Sequence, residues 1–141
     1  MLSLVIFQVG NLQCALPVGR VKEIVPARRC TRIPGAGSDI EGLMNVRGRL
    51  LTVADGRRVL DQGGAEPPHD PSILVLEVGG HPLGLVVDQV LDLAQVADDV
   101  IEPRGALPGV DPRVVEAVVR WEDSVVVMLD TAVLLAPVFG G

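Results

Sequence analysis

Side chains able to do covalent chemistry are sparse in this sequence. His69 lies in a Pro-rich stretch and His81 follows a Gly-Gly turn, so neither is held as a general base must be. No G-x-S-x-G elbow presents a serine. Cys14 and Cys30 form no C-x-x-C and stand near no histidine at metal-ligand spacing, which reads as two free, buried thiols. Asp98-Asp99, and Asp88 with Asp92, are the close acidic pairs, but no D-x-D-x-D-G loop surrounds them and solvated carboxylates explain both. The glycine pairs starting at 63, 79 and 140 precede no helix with a following lysine, so they read as turns and not as phosphate cradles. No catalytic residue, no metal, no cofactor and no small-molecule substrate is expected.

Charge carries more information. The chain has 12 Lys and Arg against 18 Asp and Glu, a net of −6. Residues 20–58 hold nine of those basic groups and only four acids, a local net of +5, which leaves −11 on the remainder. Such a chain could bind an acidic surface with one part and a basic one with the other, pair its own halves, or simply be solvated. Duplex nucleic acid needs only charge, so a basic-faced nucleic-acid-binding β-barrel is an alternative reading. Against it, single-strand binders interleave stacking aromatics, and this chain has only Phe7, Trp121 and Phe139 and no tyrosine.

The informative segment runs from Ile40 to Asp55. Within it Asn45-Val46-Arg47-Gly48 leads into an apolar run, and an arginine flanked by apolar residues wants a carboxylate. Glu23, in Val21-Lys22-Glu23-Ile24-Val25, is the best candidate in the same basic half, the alternative being two independent surface charges.

These residues must be positioned by strands. Short Val- and Leu-rich runs separated by turn residues predict ten of them: 2–9, 12–17, 21–25, 29–33, 46–53, 73–78, 83–87, 90–93, 114–120 and 125–129. Gly10-Asn11, Gly79-Gly80 and Glu122-Asp123 mark hairpins, and most gaps are too short for helical crossovers, so antiparallel pairing in a small barrel or two is expected. Ser38-Asp39-Ile40-Glu41 has the form of a capping box and predicts a helix of a turn or two, limited by Gly42. A second helix is expected over Thr131–Leu135, stopped before Pro137. The segments 61–71 and 104–112 read as Gly/Pro-rich loops, the first dividing the chain topologically but not into independent domains.

At 141 residues, 48% of them hydrophobic, the chain is one domain's worth of sequence with ample apolar content for a core. No apolar run exceeds five residues, where a membrane-spanning helix needs about 20. Met1 is followed at once by an apolar strand with no basic flank, which reads as mature structure and not as a signal peptide, and predicts a cytoplasmic protein with no direct membrane insertion.

Taken in order, these features resemble the CheW-type coupling proteins of bacterial chemosensory systems. The shared pattern is carried by Val21-x-Glu23-Ile24, Gly42-x-x-Asn45-x-Arg47-Gly48, Val53-x-Asp55, Gly84-Leu85-Val86-Val87-Asp88-Gln89-Val90, and Met128-Leu129-Asp130 before Ala132-Val133-Leu134-Leu135. It covers nearly the whole chain. The chain departs from it at Thr52, where proline is usual, at Gly56, where leucine is usual, and at Ala117, where glycine is usual.

The resemblance implies an all-β fold: a single CheW-like domain of two intertwined five-stranded SH3-like β-barrels with short helices. It implies a non-catalytic adaptor, cytoplasmic and at receptor arrays, that couples the cytoplasmic tips of chemoreceptors (methyl-accepting chemotaxis proteins) to the regulatory domain of a CheA-type histidine kinase. By position, Val21, Glu23, Asn45, Arg47 and Gly48, with Val86 and Val87, would line or support the receptor-facing region, Glu23 and Arg47 pairing across strands. Ile40, Gly42, Thr52 and Arg104 would lie at the kinase interface. Thr52 and Gly56 fall close to where kinase contacts are made, so a divergent accessory that binds receptors without engaging the kinase is the variant of this reading.

Overall fold

A computed structural model describes residues 1–64 and 66–139, the last of these through its backbone. Ala65 of the 61–71 loop and the Gly140-Gly141 pair lie outside the described residues. Eleven strands form: β1 (Leu2–Val9), β2 (Leu12–Pro17), β3 (Val21–Pro26), β4 (Ile40–Val46), β5 (Arg49–Asp55), β6 (Ser72–Val78), β7 (His81–Val87), β8 (Gln89–Val96), β9 (Ile101–Pro103), β10 (Val115–Trp121) and β11 (Ser124–Leu129). Two α-helices, α1 (Gly56–Val59) and α2 (Thr131–Phe139), and three single-turn 3-10 helices are the other elements among the described residues.

The strands build a six-stranded sheet in the order β8-β1-β2-β11-β10-β9 and a five-stranded sheet in the order β3-β6-β7-β5-β4. The five-stranded sheet is one continuous stretch of sequence inserted between β2 and β8, so the first two strands pair with the last four. The all-β reading is what the chain adopts, with strands divided six and five. Segment 61–71 links α1 to β6 between strands of one sheet; the chain passes between sheets after β2 and after β7.

Most pairs are antiparallel, but β2 with β11 and β5 with β7 are parallel. The chain between each of those partners is long enough to return in the same direction, which adjacent strands in a hairpin cannot do.

Burial follows from this arrangement. In β1, Val5, Phe7 and Val9 face a core shared with Leu74, Leu83 and Leu85 of the other sheet, while Leu4 and Ile6 face an interior made by the six-stranded sheet alone. Both faces of β1 are covered, which is why Leu4–Phe7 is continuously apolar where a half-exposed strand would alternate. A third, smaller cluster of Met44, Val53 and Ile73 fills the five-stranded side.

Two-residue hairpins form at Gly10-Asn11 and Gly79-Gly80, where the glycines have φ of +56°, +58° and +81°, and at Glu122-Asp123. The structure corrects four other expectations. Residues 38–41 form no helix: Ile40 begins β4, because an extended strand gains a ladder with β5 that an isolated turn of helix cannot match. The expected strand 29–33 is reduced to one isolated bridge, Thr31 with Leu43. The run 46–53 is broken by a hairpin at Arg47-Gly48, with Val46 opposite Arg49. Helix α2 continues past Pro137 to Phe139; Pro137 donates no backbone bond, and both it and Val133, four residues earlier, are exposed. Asp130 caps this helix, its Oδ1 accepting from Val133 N at 3.1 Å.

Candidate functional site

Strand β3 alternates half-buried and exposed residues, with Val21, Glu23 and Val25 on the covered side. A carboxylate on that face is only 24% exposed and needs a cation. Arg47 supplies it, its Nε lying 2.7 Å from Glu23 Oε1. The two residues come from β3 and from the end of β4, the two outermost strands of the five-stranded sheet, so the pair bridges the sheet's opposite edges.

The hairpin that carries Arg47 is built for this reach. Arg47 and Gly48 both have positive φ, +53° and +82°, the geometry of a two-residue turn whose twist matches its strands. Glycine takes that conformation freely; arginine there is strained. Asn45 Oδ1 accepts from Gly48 N at 2.8 Å and closes the turn, so the N-x-R-G spacing is the turn itself. Arg47 is left 82% exposed beyond its ion pair. A concavity of about 250 Å³ opens beside it, with Lys22, Val46, Leu51 and Val75 among its walls.

The other residues singled out in the sequence fall as follows. Val21 packs against the shared core at its edge. Val86 and Val87 point to opposite faces of β7: Val86 lines a separate, larger cavity, and Val87, 1% exposed, is sealed in the shared core. From there Val87 supports the region by packing. Ile40, Gly42 and Thr52 stand on the paired strands β4 and β5, while Arg104 follows β9 in the other sheet, its N–H donating to Glu116 O at 3.0 Å. Gly42 is buried with φ +149°, and a Cβ there would lie 2.3 Å from Thr31 O. That glycine admits Cys30 and Thr31 against the outer edge of β4. Gly56, where leucine is usual, opens α1 against β7, and a Cβ would lie 2.4 Å from Val86 O.

Of the ion pairs that sequence reasoning missed, one is mostly buried. Arg57 in α1 binds Asp88 with two bonds, Nε to Oδ1 at 3.1 Å and Nη2 to Oδ2 at 2.7 Å, both side chains mostly buried. Asp88 occupies the single-residue link from β7 to β8, where the chain changes sheets, and its N–H donates to Gln8 O of β1 at 2.8 Å. The hydrogen-bonded carboxylate holds the Arg57 guanidinium above its ordinary range. Arg57 also donates to Glu66 O at 2.8 Å, tying down the 61–71 loop. The sequence signal available was the V-D-x-V run, whose aspartate lies between two apolar strands.

The larger cavity, about 610 Å³, adjoins this pair. Asp55 lies in it, capping α1 by accepting from Arg57 N at 2.9 Å. Glu41 lies there too; burial, then a hydrogen bond to Asp55 and that group's charge, push its carboxyl up, with Arg58 opposing. Burial and Glu41 push the Cys30 thiol up as well. Cys14 is fully buried and its thiol is raised far out of the reactive range by burial and by Asp88. Among the described residues no group of three His, Cys, Asp or Glu is placed to hold a metal ion, and no helix is long and apolar enough to cross a membrane.

Comparison with known proteins places these features in a family. A model described as the CheW-like domain matches residues 3–138. The chemotaxis protein CheW of Rhizobium meliloti is 33% identical over 101 residues, 72% of this chain and 65% of its own length. The chemotaxis protein CheW of Bacillus subtilis is 28% identical over 135 residues, 94% of this chain and 86% of its own. The crystal structure of the scaffolding protein TtCheW from Thermoanaerobacter tengcongensis matches with a TM-score of 0.87 at 26% identity, covering 95% of this chain and 87% of that one.

Proposed function

The chain belongs to the CheW-like domain family, and from that premise we propose that it is a non-catalytic adaptor of a bacterial chemosensory array. It couples the cytoplasmic helical tips of chemoreceptors to the regulatory domain of a CheA-type histidine kinase, in the cytoplasm, by noncovalent contacts alone. The observation that carries this reading is the Glu23–Arg47 pair on the seam of the five-stranded sheet, beside a partly apolar concavity.

The physics of such a site is recognition of a helix laid in a groove. Apolar walls such as Val46 and Val75 supply area, and a polar couple at the rim fixes orientation. Arg47 is the anchor: an exposed guanidinium retains donors for an incoming partner after one is committed to Glu23. Val21, Asn45 and Gly48 hold the turn and strand that aim it, and Val86 and Val87 support the region through β7. Ile40, Gly42, Thr52 and Arg104 belong to the kinase-facing side of this proposal.

The test is binding of a receptor cytoplasmic fragment to purified protein. Arg47→Ala should weaken it on the order of tenfold, about 1.4 kcal/mol, with an unchanged circular dichroism spectrum. Equal binding by the variant, or loss of its folded spectrum, counts against the assignment. A parallel titration with the kinase regulatory domain separates a full coupler from an accessory that binds receptors only, the variant suggested by Thr52 and Gly56.

A further inference from the structure

The larger cavity has a feature that the coupling role leaves unused. Six of the twelve Lys and Arg side chains form ion pairs: Arg20, Lys22, Arg47, Arg57, Arg58 and Arg113. Of the six with no ion pair among the described residues, three, Arg28, Arg29 and Arg32, stand on this one cavity. All three are exposed and come from the irregular segment around Cys30 and Thr31, which Gly42 admits against β4.

The cavity's acids do not balance them. Asp88 is matched by Arg57, and Asp55 by Arg58 and the N-terminal turn of α1. Glu41 alone has no ion pair, leaving three guanidiniums against one carboxyl. Ala27, Pro67, Pro68 and Val86 add apolar wall to the same cavity.

We propose that this cavity is a docking site for an acidic peptide segment of a partner protein, one in which carboxylates alternate with aliphatic side chains. Guanidiniums bind carboxylates through two parallel N–H bonds, and the apolar walls take the aliphatic residues between them. A nucleic acid fits less well. Among the described residues no aromatic side chain lines the cavity for a base to stack on, and three arginines within five residues give no track for a phosphate backbone. The proposal does not depend on the receptor-coupling reading.

The experiment is fluorescence anisotropy of the full chain with a labelled peptide alternating glutamate and leucine, against the same peptide with glutamine for glutamate. The acidic peptide should saturate, bind about tenfold more tightly than the neutral one, and weaken with added salt. The triple variant Arg28→Gln, Arg29→Gln, Arg32→Gln should lose on the order of tenfold in affinity, and Arg120→Gln, an exposed cation on the other sheet, should lose none. The single variant Arg29→Gln should fall between, which keeps the test decisive if the triple variant is poorly folded. Equal binding of both peptides, equal binding by parent and arginine variants, or a DNA duplex that displaces the acidic peptide from the same arginines overturns the proposal.

Discussion

Arg47 reaches Glu23 from the opposite edge of the same sheet, at 2.7 Å, out of a backbone conformation that arginine disfavours. Two effects on stability oppose each other at this residue. The pair is largely exposed on the arginine side and contributes about 0 to 1 kcal/mol, while the positive φ costs about 1 kcal/mol or more.

Arg47→Gly is therefore expected to fold at least as stably as the parent while losing partner binding. Thermal melts beside receptor-fragment titrations check this. A drop in Tm of several degrees would show that the ion pair outweighs the strain. In a double-mutant cycle, Glu23→Gln with Arg47→Ala should give a coupling energy no larger than about 1 kcal/mol.

Gly42→Ala should be among the most damaging of small substitutions. Its Cβ would meet the Thr31 carbonyl at 2.3 Å, and the flanking bonds, Thr31 N to Leu43 O and Leu43 N to Thr31 O, both at 2.8 Å, leave that carbonyl little room to retreat. We expect a loss of about 1 to 3 kcal/mol, measured by urea denaturation. Gly48→Ala has open space around its Cβ and only its φ of +82° to contend with, so its loss should stay near about 1 kcal/mol.

Removing Arg57 should cost more than removing Arg113. Both bind an aspartate closely, but Asp88 is 14% exposed and would be left nearly buried without a cation, whereas Asp111 is 43% exposed and rehydrates. Arg57→Ala is expected to lose about 1.5 to 3 kcal/mol and Arg113→Ala far less, its pair lying in solvent. Equal losses in chemical denaturation would mean that Asp88 is solvated in the folded chain.

Glu41 predicts a pH dependence with a definite sign. Burial and Asp55 raise its carboxyl above the ordinary range, so the folded chain holds that proton more tightly than the unfolded one. Its stabilising contribution is complete below the unfolded value and is lost as pH rises through the folded one. Glu41→Gln should then match the parent in acid and exceed it in Tm at neutral pH. Asp111 runs the other way: hydrogen bonds from the Arg113 side chain and backbone lower its carboxyl, and Asp111→Asn should lose stability at neutral pH and match the parent in strong acid. Parallel curves for parent and Glu41→Gln across the carboxylate range would contradict the first expectation.

What could be read from the sequence was whatever depended on neighbours. The hairpins at Gly10 and Gly79 need only a two-residue turn and its glycine, and the long apolar strands β1, β6, β10 and β11 declare themselves by composition. Glu23 and Arg47 could be matched because each was an unbalanced charge among apolar residues. Strand β4 was obscured because Ser38 and Glu41 imitate the start of a helix, and the preference of its backbone for β5 depends on a turn whose first residue, Arg47, bears no mark of positive φ. Strand β9 is three residues long and takes its identity from β10. Arg57 and Asp88 were missed because their meeting is made by the fold, through α1 lying against the end of β7.

The insertion of one sheet inside the other sets an order of assembly during synthesis. Strands β3 to β7 form an unbroken stretch and can zip together soon after they leave the ribosome, whereas β2 must wait for β11, made more than a hundred residues later, before its free side is paired. Until then β1 and β2 hold out a sticky apolar ribbon, so nascent chains stalled after β7 should be the ones that chaperones seize.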